Sequence, residues 1–178
     1  DIDLFIISSQ NRLWLSRILI LGLLSLTGQR RKSKHNNQEA AGKICSNTIL
    51  EEDKLIQKKN LYLTHEVLQM KILWQRDGIY SKYLSDNDWA FKYLPNWISA
   101  QVPGLHLRGV SRWGYQRLHL GGVWLLDFME NLAKKFQLEL MGKPKGSERI
   151  LPGAVYFHPM NYQEKVLLEY KKRIDKLI

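Results

Sequence analysis

The chain has a single cysteine, Cys45, among its 178 residues. One thiol excludes an intrachain disulfide, and it also excludes a zinc site built from several cysteines. The residue lies in a polar segment without an adjacent base, so the sequence gives no reason to expect a reactive thiol. A reducing compartment fits this composition.

Motifs that carry catalytic chemistry are also missing. The chain contains no G-x-S-x-G, no G-x-G-x-x-G and no H-E-x-x-H, which are signatures of nucleophile elbows, dinucleotide sites and zinc proteases. His106, His119 and His158 could in principle form a histidine-only zinc site, but no acid stands at a metal-ligand spacing from them. We therefore predict no catalytic residue, no metal and no cofactor, and we predict that the protein is not an enzyme.

Acidic residues are missing from two long stretches, Leu4 to Gln38 and Trp89 to Leu126. The whole chain carries a formal net charge of +10. A basic chain of this kind favours an anionic neighbour, which can be nucleic acid, a phospholipid surface or an acidic protein subunit. We therefore expect other protein subunits as partners, with anionic lipid headgroups or nucleic acid as the anionic component.

A near-repeat lies in the middle of the chain, where Leu105–Val110 is echoed by Leu118–Val123. Antiparallel pairing about a turn at Ser111–Gly114 would place cationic side chains on one face, because side chains alternate along a strand. Successive helical turns are the alternative. The predicted anion or partner-contact residues are His106, Arg108, Arg112, Tyr115, Arg117 and His119, and a second basic loop carries Lys143, Lys145 and Arg149.

The N-terminal segment is the most apolar part of the chain. Its uncharged run, Ile18 to Gln29, is about twelve residues long, whereas a membrane-spanning helix needs roughly 20. Four interpretations stay open: a tilted span that extends back to Leu4, a targeting segment, an interfacial or partner-bound helix, and a buried core helix. The candidate membrane-interface residues are Arg12, Trp14, Arg17, Arg30, Arg31 and Lys32.

The remaining pattern predicts a mainly α fold with a small β-hairpin near 103–123. Helices are expected over 49–75, 123–141 and from Asn161 to the C-terminus, with irregular connections rather than one compact fold. We divide the chain into an apolar N-terminal helix (1–29), a basic polar linker (30–50) and a helical, aromatic-rich domain (51–178). Helix 123–141 has an apolar side, which consists of Trp124, Leu125, Phe128, Leu132 and Phe136.

Two functions from different classes fit these observations. The first is a non-catalytic accessory subunit of a large membrane-associated complex, with a mitochondrial inner membrane or another organellar membrane as its setting. The apolar segment with its basic flank and the 11% aromatic content favour this hypothesis, since aromatic residues are enriched at interfaces. The second is an RNA-binding subunit of a ribonucleoprotein such as an organellar ribosome, in which arginine and lysine would contact phosphates.

Overall fold

The computed structural model describes residues 1–32, 38–94, 123–142, 148–157 and 162–175. These residues form six helices and a four-stranded sheet, and 49% of them are helical. The elements in chain order are β1 (Ile2–Ser8), α1 (Leu13–Leu26), β2 (Ile44–Glu51), α2 (Leu61–Leu68), α3 (Ile79–Asp86), α4 (Ala90–Tyr93), α5 (Val123–Met141), β3 (Arg149–Leu151), β4 (Ala154–Tyr156) and α6 (Tyr162–Ile174).

The fold is therefore mixed α/β, and the predicted mainly α fold with a small hairpin is wrong. The error lies in the two longer strands, β1 and β2. The sequence-based prediction placed β1 and α1 together in one apolar helix. It placed β2 partly in the polar linker and partly at the start of a helix. Both strands contain β-branched residues that favour extended backbone, and their pairing leaves Ile49 and Leu50 fully buried.

The described residues divide into two compact units, the first of which is drawn from Asp1–Lys54 and Arg117–Met160. Its mixed sheet has the order β1-β2-β4-β3. β1 and β2 are parallel and are connected through α1, whereas β4 is antiparallel to both β2 and β3. The core of this unit consists of Leu13, Trp14, Ile49, Ala133 and Val155.

Helix α1 belongs to this folded unit. It has 14 residues, or about 21 Å at 1.5 Å per residue, whereas a bilayer core is roughly 30 Å thick. It packs against α5 and β2, and Leu13, Trp14 and Leu24 are buried. Among the described residues, none of the helices has the combined length and apolarity that a membrane crossing requires. The structure therefore does not support the transmembrane interpretation of this segment.

The second unit is drawn from Leu55–Gln116 and Asn161–Ile178 and contains α2, α3, α4 and α6. The long helix predicted over 49–75 is here limited to α2. Asn60 begins α2, because its side chain accepts a hydrogen bond from Leu63 N, which is the preferred arrangement at a helix N-terminus. The buried hydrophobic residues of this unit are Leu55, Val67, Leu68, Tyr83, Leu84, Trp89 and Ala90.

Asn87 is the polar centre of the second unit and is fully buried. Its Oδ1 accepts hydrogen bonds from Gln57 N at 2.7 Å and Trp89 Nε1 at 3.2 Å. Its Nδ2 donates to Leu55 O at 2.8 Å and Tyr83 O at 2.9 Å. Both donors and both acceptor positions of the amide are used, so the side chain connects the segment before α2 to the end of α3.

Candidate functional site

Helix α5 faces its own unit with a polar side. Its buried residues are Glu130, Ala133 and Gln137, which lie on one side of a helix because of their spacing of three and four residues. Asp127 extends the same row and forms an ion pair with Arg12, with 2.7 Å between Oδ1 and Nη1. The usual amphipathic orientation, apolar side inward, is therefore reversed at this helix.

A side chain on the polar side of α5 accepts hydrogen bonds from the first turn of α1. Arg12, the residue before α1, supplies no capping side chain. Glu130 accepts instead, with Oε1 2.8 Å from Trp14 N and Oε2 2.8 Å from Leu15 N. Glu51 at the end of β2 lies near the backbone of Asn11 and Leu13, and these backbone groups lower the pKa of its carboxyl. A carboxylate from a distant part of the sequence thus satisfies two of the N–H groups that a helix start leaves free.

The carboxylates at the start of α1 affect whether an anionic ligand can bind there. A helix that follows the first strand of a β-α-β unit commonly binds phosphate at its N-terminus. Here that position is occupied by Glu51 and Glu130, and two carboxylates repel an anion. Burial raises the pKa of Glu51, and the nearby charges of Asp53 and Glu130 raise it further, against the lowering effect of the neighbouring backbone at Asn11 and Leu13. We infer that the N-terminus of α1 is a structural site and not a nucleotide site.

A second polar cluster lies further along the contact between α1 and α5. Gln137 Nε2 donates to Trp14 O at 2.7 Å, and its Oε1 accepts from Arg17 Nη1 at 2.6 Å. The guanidinium of Arg17 also lies 4.4 Å from the centre of the Phe157 ring. Burial and, to a lesser degree, the charge of Arg30 lower the pKa of Arg17 to about 10, partly offset by Glu148.

The opposite side of α5 is apolar and exposed. We call it the outer apolar surface, and it consists of Trp124, Phe128, Leu132, Phe136 and Leu140. These residues recur every fourth position, so they form one ridge along the helix. Trp124 is 72% exposed and Leu140 is 71% exposed. Monomeric proteins rarely expose a large contiguous apolar patch unless it binds something, so this ridge is a candidate docking surface.

A cavity of about 340 Å³ lies between α1 and α5. Its apolar walls come from both helices, and two arginines, Arg17 and Arg30, also line it. Arg30 Nη1 donates to Ser25 Oγ, which lines the same cavity, at 3.3 Å. The apolar lining residues are Ile18, Leu21, Gly22, Phe136, Leu140 and Met141.

The predicted membrane-interface residues have internal contacts. Trp14 is buried in the core, and Arg12 and Arg17 bind α5 through Asp127 and Gln137. Arg31 Nη1 lies 2.8 Å from Asp1 Oδ2, and Lys32 also interacts within the chain. Arg17 and Arg30 of this set both line the cavity.

The predicted His/Arg contact surface lies outside the described residues, as do the lysines of the basic loop. The members outside them are His106, Arg108, Arg112, Tyr115, Arg117, His119, Lys143 and Lys145. Arg149 is described: it is exposed on β3, with its guanidinium 5.5 Å from the centre of the Tyr156 ring. His65 is the one histidine of the described ranges, and its Nδ1 lies 2.9 Å from Gln69 Nε2.

Asp1, Asp3 and Cys45 present ligand-type atoms within 4.8 Å of one another. Each already has a partner: Asp1 pairs with Arg31, and Asn47 receives a hydrogen bond from Cys45 Sγ at 2.8 Å and donates one to Asp3 Oδ1. Burial raises the pKa of the Cys45 thiol, which disfavours the thiolate that binds metals. The group is better explained as a hydrogen-bonded edge of the sheet.

No protein-family model, curated protein or solved structure matches the chain. Sequence reasoning identified the apolar side of α5 but missed Glu51, Glu130 and Gln137. A usable signal was present, since Asp127, Glu130, Ala133 and Gln137 share one side of the helix.

Proposed function

We propose that this protein is a non-catalytic subunit of a larger assembly and that it docks through the outer apolar surface of α5. One observation carries the proposal. The polar side of α5 is used inside the protein to bind α1, while its ridge of aromatic and leucine side chains faces outward. A helix with this orientation gains its remaining burial from a partner.

The ridge has the chemistry of a protein interface. Burial of one large apolar side chain is worth about 1.5–3 kcal/mol, and aromatic residues are enriched at the energetic centres of interfaces. Rows of residues at intervals of four pack into the groove between the side chains of another helix. Lys134 and Lys135 are exposed on the same helix, so we expect a partner helix with an apolar face and acidic flanks.

The proposed setting is a membrane-associated assembly, with a mitochondrial inner membrane or another organellar membrane as the candidate location. A net charge of +10 together with an exposed apolar helix face is typical of proteins that lie at an anionic membrane surface. The outer apolar surface would bind a subunit, and the basic residues would favour the neighbouring lipid headgroups.

The double substitution W124Q/F128Q tests the docking proposal. These side chains are exposed, so their replacement leaves the core intact. We expect the variant chain to fold but to sediment as a small species from gently lysed host cells, whereas the wild-type chain sediments with a large assembly. W74Q is the matched control, because Trp74 is 81% exposed but lies in the other unit. Retention of W124Q/F128Q in the large assembly would reject this role for α5.

RNA binding is the second candidate function, and the net charge of +10 with two acid-free stretches favours it. Phosphate contacts by lysine and arginine make binding strongly salt-dependent. Nuclease treatment at moderate salt separates the two candidates. Release of the chain from its assembly by nuclease supports the RNA-binding subunit, and resistance to nuclease supports docking on protein.

A further inference from the structure

The cavity between α1 and α5 combines an apolar wall with two cations. The wall is formed by Ile18 and Leu21 from α1 and by Leu140 and Met141 from α5. Its volume of about 340 Å³ lies at the lower end of the range for small-molecule sites. A site of this composition suits a molecule with an apolar part and a charged end.

The two cations of the cavity lack an acidic partner. Within the described ranges, neither Arg17 nor Arg30 forms an ion pair with a carboxylate, although the charge of Glu148 raises the pKa of Arg17. The Nε of Arg17 is buried without a hydrogen-bond partner. Two like charges beside one cavity repel each other, and an anion placed between them removes that repulsion.

We propose that this cavity binds an amphipathic anion, with its aliphatic tail against α1 and α5 and its carboxylate or phosphate head at Arg17 and Arg30. Fatty acids and lipid phosphates share this chemistry. The proposal does not depend on docking through the outer apolar surface, because it rests on the cavity and its two arginines. Phe136 and Leu140 belong to both features, so the test relies on other residues.

Two substitutions remove separate parts of the site without removing the core. R30Q deletes a half-exposed cation at the rim. G22L fills the cavity, because a Cβ at Gly22 meets no atom within 4 Å and a helix interior favours leucine over glycine. Two controls leave the site intact: K134Q deletes an exposed cation elsewhere on α5, and F128Q changes the outer apolar surface outside the cavity.

The experiment is calorimetric titration of the full chain with decanoate and with decyl phosphate, each below its micelle-forming concentration. We expect one bound molecule per chain. R30Q should weaken binding at least about tenfold, since a hydrogen bond to a charged group is worth at least that factor. G22L should also weaken binding, because the leucine side chain occupies the space of the tail. K134Q and F128Q should bind as the wild type does. Circular dichroism verifies that each variant is folded.

Three results would overturn the proposal: equal binding of inorganic phosphate without a tail, equal binding of the uncharged decyl maltoside, or binding unchanged by both R30Q and G22L. A preference for decanoate identifies a fatty acid as the class of ligand, and a preference for decyl phosphate identifies a lipid phosphate. Either preference supports the site. The result of the ligand titration is also independent of whether the W124Q/F128Q variant stays in the large assembly.

Discussion

Glu130 on α5 caps the first turn of α1, with its two carboxylate oxygens each 2.8 Å from a backbone nitrogen, of Trp14 and of Leu15. Glu130 is far in sequence from both Trp14 and Leu15, so this cap joins α1 to α5. Because the buried carboxylate must face α1, the opposite side of α5 faces outward. The orientation of the outer apolar surface is therefore fixed by the chain's own polar contacts.

Replacement of Glu130 by alanine leaves both N–H groups without a partner, in a position that water does not freely reach. We expect the E130A variant to lose about 2–3 kcal/mol of unfolding free energy in the first unit, from the lost cap and the unsatisfied donors. Amide hydrogen exchange in α1 and β2 reports this loss. E139A is the control, since Glu139 is exposed on the same helix and should change stability by less than about 0.5 kcal/mol. Equal effects of the two substitutions would contradict the cap.

The raised pKa of Glu51 makes the stability of the first unit depend on pH. In the folded state this carboxyl holds its proton to higher pH than the ordinary glutamate value of 4.5. Its contribution is fully present below the unfolded pKa and decreases as pH rises through the folded pKa. Unfolding free energies of the wild type and E51Q, measured between pH 4 and pH 7, should show the wild type losing stability relative to E51Q as pH rises. A wild type that gains stability relative to E51Q over this range would show that the pKa is lowered instead.

Asn87 should be the most sensitive polar residue of the second unit. N87A removes four hydrogen bonds and leaves the partner groups at Leu55, Gln57 and Tyr83 buried. Each unsatisfied group costs about 1–3 kcal/mol, so we expect a loss of about 3 kcal/mol or more. Hydrogen exchange in α3 is the measurement. N131A is the control, because Asn131 is exposed and makes a single contact, to Asp127 O at 2.9 Å. A loss at N87A no larger than that at N131A would refute the assigned role.

Gly153, in the turn between β3 and β4, has a φ of +73°, and a Cβ there would lie 2.8 Å from Lys54 Cγ and 2.9 Å from Glu51 Oε2. Gly142 has a similar φ of +63° but nothing within 4 Å. G142A therefore measures the backbone cost alone, about 1 kcal/mol. We expect G153A to cost at least about 1 kcal/mol more, because its methyl group meets the side chain of Glu51 beside the start of α1. Urea denaturation of both variants measures the difference, and equal midpoints would mean that Lys54 and Glu51 move aside freely.

The part of the fold that could be predicted from sequence is the part set by local pattern. The range 123–141 was predicted as one helix and is confirmed as α5, because a long periodic segment specifies a helix by itself. The helix predicted after Asn161 is likewise found as α6. The apolar side of α5 could be predicted from the spacing, but what that side contacts could not.

The sheet could not be predicted, because its central pair is non-local. β1 and β2 are parallel strands separated by α1. Parallel strands are not joined by a hairpin turn, so no turn sequence indicates that they pair. Thr48 and Glu51 have the spacing of a capping box, a pattern that predicts a helix start in this segment. Glu51 instead ends β2, and its carboxyl lies near the backbone at the start of α1. Both residues lie in β2, so the helix start predicted from this spacing is wrong.

The candidate site could not be predicted either, because its contacts also join residues that are far apart in sequence. The spacing of Asp127 and Glu130 predicts two surface acids near a helix N-terminus, where acidic residues are stabilising. Their true partners, Arg12 and the backbone at Trp14, lie more than a hundred residues earlier in the chain. Arg17 and Arg30 were assigned to a membrane interface because the N-terminal segment was taken alone, without the helix that completes their cavity.

The most direct test of the account is oxidative footprinting of α5 in the isolated chain and in the native assembly. The reactive probes are Trp124, Phe128 and Met129, which are all exposed, and Trp74 is the internal reference. We expect all of them to react in the isolated chain and the three α5 side chains, but not Trp74, to become protected in the assembly. Protection already present in the isolated chain, or undiminished reactivity of α5 in the assembly, would contradict docking through the outer apolar surface.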